Sequence, residues 1–150
     1  MAGTRRRGDG QPPKPRVRDL KAARRRQRLA VELGAATTPR QRLTAAVDFV
    51  RTCLQACGAA AAGPVGVPVL VRQLTEAGDQ LWAARHRARL QAEMAAAATA
   101  GDQLAVAMEH VRRALAGTDD PAVQQTAGQL IDPLVRRLVA AGEQMQKGTR

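Results

Sequence analysis

The 150-residue chain has no serine, asparagine or tyrosine, and only one phenylalanine (Phe49), one tryptophan (Trp82) and one isoleucine (Ile131). Each absence closes off a class of protein. Without serine there is no serine nucleophile, and no P-loop, Rossmann glycine fingerprint or paired-histidine zinc motif occurs, so a non-enzymatic protein without a cofactor is expected. Strand-favouring β-branched and aromatic residues are few beside abundant Ala, Leu, Arg, Gln and Glu, which sets the all-β class aside and favours helix. The shortage of rings also disfavours sequence-specific RNA recognition, which stacks bases on exposed aromatics. No apolar run reaches the roughly 18 residues of a membrane span, and no apolar stretch of a secretory signal follows the early arginines, so a cytoplasmic location is expected. Cys53 and Cys57 stand four residues apart in one expected helix, a poor spacing for an unstrained disulfide, and reduced thiols are expected.

Scarce Asn, Tyr, Ile, Phe and Lys beside plentiful Ala, Arg, Gly and Val point to a GC-rich bacterial genome, or to a plasmid, phage or other mobile element living in one. Arginine outnumbers lysine heavily. That fits bidentate phosphate recognition and equally fits codon supply.

The charge is concentrated at one end. Residues 1–42 hold 13 Lys and Arg against three acids, and residues 43–150 hold 11 against 10, so the net +11 splits into +10 and +1. A neutral domain with a basic extension suggests a tether for a polyanion, most simply nucleic acid. Residues 1–15 combine Gly, Pro and charge with almost nothing to bury, and are expected to be disordered in isolation. Residues 16–33 read as a basic helix stopped near Gly34: Arg18, Lys21, Arg25 and Arg28, with Arg24 beside them, make a cationic face, and Leu20, Ala23, Ala30 and Val31 a narrower apolar one. Such a helix suits phosphates or a major groove, and equally suits a solvated face.

The domain proper is expected over 37–150, with the arm over 1–36. A helix should open at Thr38-Pro39-Arg40-Gln41, a capping box with proline in the first turn, and stop at Gly58; its apolar stripe is Leu43, Val47, Val50, Leu54 and Cys57, with Cys53 at the border. A long helix follows over 68–98 with Leu70, Leu74, Ala77, Leu81, Ala84 and Ala88 inward and Gly78 as a weak point. A further segment over 101–116 carries Leu104, Met108, Val111 and Leu115. The last opens at Asp120-Pro121 and carries Val123, Ala127, Leu130, Leu134, Leu138, Ala141 and Met145, with a kink expected before Pro133. The expectation is therefore an all-α protein: an antiparallel bundle of about four helices, sequential helices adjacent, preceded by a basic, partly disordered arm and a basic helix. Coiled-coil-like spacing and small core residues favour a homodimer.

Among candidate chemistries, Cys53, Cys57, His86 and His110 could compose a zinc site, but nothing in their spacing demands one, and the histidines are expected in polar surroundings. Arg85 to Arg89, Arg112-Arg113 and Arg136-Arg137 are accompanied by acids and read as solvated helix faces. The leading expectation is an accessory DNA-binding protein that grips duplex phosphates through Arg5, Arg6, Arg7, Arg18, Lys21, Arg24, Arg25, Arg26 and Arg28, largely without sequence selectivity. The alternative is an assembly protein whose bundle docks a protein partner, the arm being a solubilising or anchoring tail. A membrane partner is not expected, because the basic helix offers alanines where an interfacial anchor has Trp, Phe or leucines.

Overall fold

The computed structural model describes residues 16–81, 87–116 and 120–148. Among these there are six α-helices and one 3-10 turn: α1 (Val17–Ala35), α2 (Pro39–Cys57), the 3-10 turn (Ala59–Ala62), α3 (Val67–Leu81), α4 (Arg87–Ala96), α5 (Ala100–Ala116) and α6 (Pro121–Gly148). No strand occurs among the described residues, and no helix there is long and apolar enough to cross a membrane. Residues 1–15, with Arg5, Arg6 and Arg7, lie outside the described residues, as do 82–86, with Trp82, Ala84, Arg85 and His86.

The helix ends follow local chemistry. Thr38 Oγ1 accepts from the Gln41 amide at 3.2 Å while Gln41 Oε1 accepts from the Thr37 and Thr38 amides at 2.7 and 3.3 Å, completing the capping box at α2. Gly58 ends α2 at a φ of 94°, a backbone region that an L side chain resists. Asp120 Oδ1 accepts from the Ala122 amide at 2.9 Å at the start of α6, and Thr99 Oγ1 accepts from the Asp102 amide at 3.1 Å at the start of α5. α6 runs through Pro133 as one assigned helix.

The core is built on α2, α3, α5 and α6. Leu43, Val47, Val50, Leu74, Leu104, Val111, Ile131 and Leu138 are fully buried. The two cysteines exchange their expected roles: Cys53 is buried in the core and Cys57 is only half-buried. Leu81 is half-buried and Ala88 is exposed, with Leu90 turned inward instead, so the inward stripe expected over 68–98 does not continue in one register.

Two features depart from the expected bundle. Among the four core helices the principal contacts are α2 with α6 and α3 with α5, followed by α2 with α5 and α3 with α6, so their ring order is α2, α6, α3, α5 and α2 does not pack chiefly on α3, nor α5 on α6; α1 packs on its neighbour α2. The pair α2 and α6 is also parallel. Pro39 lies near Gly128, Arg42 pairs with Asp132, Phe49 packs on Gly142 and Cys57 reaches Met145, so both chains advance together. The reason is parity: with α3 and α4 as separate elements, α6 is the fourth helix after α2, and alternating directions bring it back to that of α2. Residues of α3 and α4 line one groove, where Arg87 at the start of α4 approaches Asp79 near the end of α3 at 3.7 Å.

Candidate nucleic-acid interface

α1 is packed on the domain, and the face it buries is not the one its alanines and Val31 suggest. Leu29 is buried, Ala22, Arg25 and Leu33 are half-buried, and these four share one side at helical spacing. Leu20, Ala23, Ala30 and Val31 face solvent, Val31 being 66% exposed and Val17 68%. The two candidate stripes are of similar length. Leu29 and Leu33 give the inner one larger apolar groups, and the methylene stem of Arg25 extends it while the guanidinium stays polar.

Arg25 is the anchor of this packing. Its Nε donates to Gln146 Oε1 of α6 at 2.7 Å, a contact between residues 121 apart that ties α1 to the far end of the chain. The same guanidinium stands beside Cys53, whose thiol burial pushes up from 9.0 to about 11 despite the lowering influence of Arg25. Cys57, at the end of α2, donates its thiol proton to the Met145 carbonyl at 3.7 Å.

The other sequence-predicted contacts on α1 point outward. Arg18, Lys21, Arg24, Arg26 and Arg28 are all exposed. Lys21, Arg24 and Arg28 recur at three- and four-residue intervals on one side and span about 10 Å at the usual rise per residue. Arg28 Nε holds Glu32 Oε1 at 2.9 Å, with the arginine side chain 79% exposed. No carboxylate among the described residues pairs with Lys21, Arg24 or Arg26.

The arginines of the domain differ. Arg42 grips Asp132 with two hydrogen bonds, at 2.9 and 3.3 Å. Arg89 and Arg113 share Glu93 at 2.8 and 3.1 Å, and Arg112 and Arg113 flank Glu109 at 3.5 and 3.7 Å. Hydrogen bonds from Arg89, then from Arg113, hold the Glu93 carboxyl below the ordinary carboxylate range. Arg137 donates to Gln73 at 3.1 Å, while Arg136 is exposed. The clusters Arg87 to Arg89 and Arg112-Arg113 are thus occupied by neighbouring acids.

A polar contact that composition does not announce joins α3 and α5. His110, expected in polar surroundings, is buried, and its Nε2 meets Asp79 Oδ1 at 3.1 Å while Arg87 approaches Asp79 Oδ2 at 3.7 Å. Gly78 makes the room: a Cβ there would lie 2.8 Å from His110 Nε2 and closer still to its Cδ2. A buried imidazole needs a partner, and Asp79 provides one. Among the described residues no group of three or more His, Cys, Asp and Glu is placed to hold a metal ion, and His86 lies outside them.

No protein-family model, curated protein or solved structure matches the chain.

Proposed function

We propose that this protein is a non-enzymatic accessory DNA-binding protein that holds duplex phosphates through its arginine-rich N-terminal region, including the outward cations of α1. One contrast carries the reading. Six arginines of the domain, Arg42, Arg72, Arg87, Arg89, Arg112 and Arg113, pair with carboxylates within the fold, whereas Lys21, Arg24 and Arg26 stand exposed close together on one helix with no acid among the described residues to pair with. Cations kept away from internal acids are available to a polyanion, and their release of condensed counterions drives binding without sequence selectivity. The +10 carried by residues 1–42 adds long-range attraction. Arg25, held by Gln146, sets the position of the helix, and Lys21, Arg24, Arg26 and Arg28 make the outer contacts. The GC-rich composition supports an origin in a GC-rich bacterium or one of its mobile elements.

The test is fluorescence anisotropy of a labelled duplex with the full-length chain at several salt concentrations. Binding with a steep salt dependence supports the reading; no binding at micromolar protein near physiological salt removes it. Deleting the chain before Thr37 is a poor comparison, since it strips α1 from α2 and uncovers apolar groups, and side-chain neutralisation is preferable.

A second reading rests on a different observation. Val17, Leu20 and Val31 form an exposed apolar line on the outer side of α1. That line suits a helix of a protein partner or of a second copy, with Arg24 interrupting it. Sedimentation of full-length protein and of a Leu20→Gln/Val31→Gln variant tests it: a dimer lost in the variant supports the reading, and a monomer in both removes self-association.

A further inference from the structure

The sequence offers Arg136 an acid one turn earlier, Asp132, at the spacing of a helical ion pair. The fold gives that acid to Arg42 instead, which holds it by two hydrogen bonds at 2.9 and 3.3 Å. Arg137 donates to the neutral oxygen of Gln73 on α3 at 3.1 Å, a contact that orients the guanidinium and cancels none of its charge. That bond uses one of the five N–H donors of a guanidinium. Arg136, Arg137 and Lys147 are all exposed on α6, and no carboxylate among the described residues pairs with any of them.

These cations belong to one polar strip. Gln125, Gln129, Arg136 and Lys147 follow one another at intervals of four, seven and eleven residues, so they share the outer side of α6 over about 33 Å, with Arg137 and Gln144 on its flank. The acids around the strip are few. Asp132 is held by Arg42, and Glu76 on α3 faces Arg72 at 4.0 Å. Glu143, half-buried, lies two turns beyond Arg136 and one before Lys147. Setting it in full against the three cations, together with about half a negative charge from the C-terminus of α6, leaves an excess of about 1.5 positive charges. At Arg136 and Arg137 themselves, about 10 Å from Glu143 along the helix, that excess is undiluted.

The strip borders the helix already assigned to phosphates. The first half of α1 meets the C-terminal ends of α2 and α6, around Cys57 and Gln146, so α1 runs antiparallel to α6. Arg25 turns towards α6 and holds Gln146 at 2.7 Å, and Lys21 and Arg28, four residues before it and three after, border the same flank of α1. Glu32, also on that flank, is held by Arg28. Ten residues of α6 separate Arg136 from Gln146, about 15 Å, so both rows of cations lie within one helical turn of a duplex, about 34 Å. We infer that the outer face of α6 is a second phosphate-binding surface, on which Arg136, Arg137 and Lys147 contact the backbone of the duplex that α1 holds. The inference rests on the DNA-binding reading and extends it from the N-terminal region to the domain. A duplex suits the strip better than a protein partner does, because no large apolar side chain is exposed on α6 to form the dry centre of a protein interface.

The test compares duplex affinity at several salt concentrations for the full-length parent and two full-length variants, with helicity checked in each. Arg136→Gln/Arg137→Gln removes the pair on α6. Arg89→Gln/Arg112→Gln removes the same charge from arginines that carboxylates already hold. Each lost phosphate contact lowers the slope of log K against log salt by about 0.9, so the α6 variant should lose about 1.8 while the slope of the other variant changes little. Arg136→Lys/Arg137→Lys keeps the charge and should keep most of the parent's slope. If the two Gln variants lose slope equally, or the α6 variant keeps the parent's slope, the α6 surface is overturned while duplex binding by the parent leaves the DNA-binding reading intact. An unchanged duplex slope together with lost binding to polyglutamate in the α6 variant assigns the strip to an acidic protein instead. If the parent does not bind duplex at micromolar protein, both fall.

Discussion

Gly142 and Gly128 both lie inside α6, and substitution by alanine is predicted to move stability in opposite directions. Alanine in a helix interior gains about 0.5–1 kcal/mol over glycine from backbone entropy alone. At Gly128 the new Cβ would meet Asp132 and Pro39 at 3.7 Å, ordinary van der Waals contact, so the intrinsic gain should be realised. At Gly142 the same atom would lie 2.5 Å from Phe49 Cε2 and 2.7 Å from Cδ2. The Phe49 ring is itself buried, at 5% exposure, and is a flat group without a flexible end that could swing clear. Forcing extra volume into a packed core costs about 1–3 kcal/mol. Subtracting the helix gain leaves Gly142→Ala destabilising by about 1–2 kcal/mol, a fall in Tm of about 2–8 °C for a domain of this size. Thermal unfolding by circular dichroism of both variants, with Phe49→Leu/Gly142→Ala as the relieved double variant, provides the assay. The double variant should recover part of the loss, because removing ring atoms removes the clash. Equal stabilisation by Gly128→Ala and Gly142→Ala would refute the parallel packing of α2 on α6 at this level.

Gly78→Ala should likewise destabilise, by about 1–3 kcal/mol from overpacking against His110, read by urea unfolding; a neutral result would contradict the α3–α5 contact. Asp132→Asn should cost about 1 kcal/mol by weakening the two-bond grip of Arg42, measured in the same way. Cys53 is protonated more tightly in the fold than in the open chain, so its contribution to stability is complete below pH 9 and is lost as pH rises towards about 11. The loss is at most about 3 kcal/mol, at about 1.4 kcal/mol per tenfold change in proton affinity. Cys53→Val should flatten that alkaline limb in a pH series of unfolding curves.

Much of the fold is legible in the residues themselves. The α2 start, its stop at Gly58 and its stripe of Leu43, Val47, Val50 and Leu54 follow from capping chemistry and helical spacing, and the starts of α5 and α6 fall within a residue of their expected positions. The number and direction of elements are harder to read. No proline or paired glycine lies in the 68–98 segment after Pro68, and adding one helix there reverses the direction of α6 relative to α2. The face of α1 misleads because Leu20 and Val31 form one apolar line and Leu29 and Leu33 another, and local periodicity has no means of choosing between them. Tertiary packing selects the second. The role of Gln146 has no local signal at all, since its partner Arg25 is 121 residues away. The burial of His110 had a faint one: a glycine on the inner side of α3 and a histidine on the flank of α5 can meet only if the two helices pack closely.

The outward cations of α1 are proposed to hold phosphates. The most direct measurement is the salt dependence of duplex affinity for the full-length chain and for a Lys21→Gln/Arg24→Gln/Arg28→Gln variant, with helicity checked in both. Each lost phosphate contact should reduce the slope of log K against log salt by about 0.9, so a reduction of about 2–3 is predicted with the fold intact. An unchanged slope, or no duplex binding by the parent at micromolar protein and physiological salt, would mean that these cations do not hold phosphates.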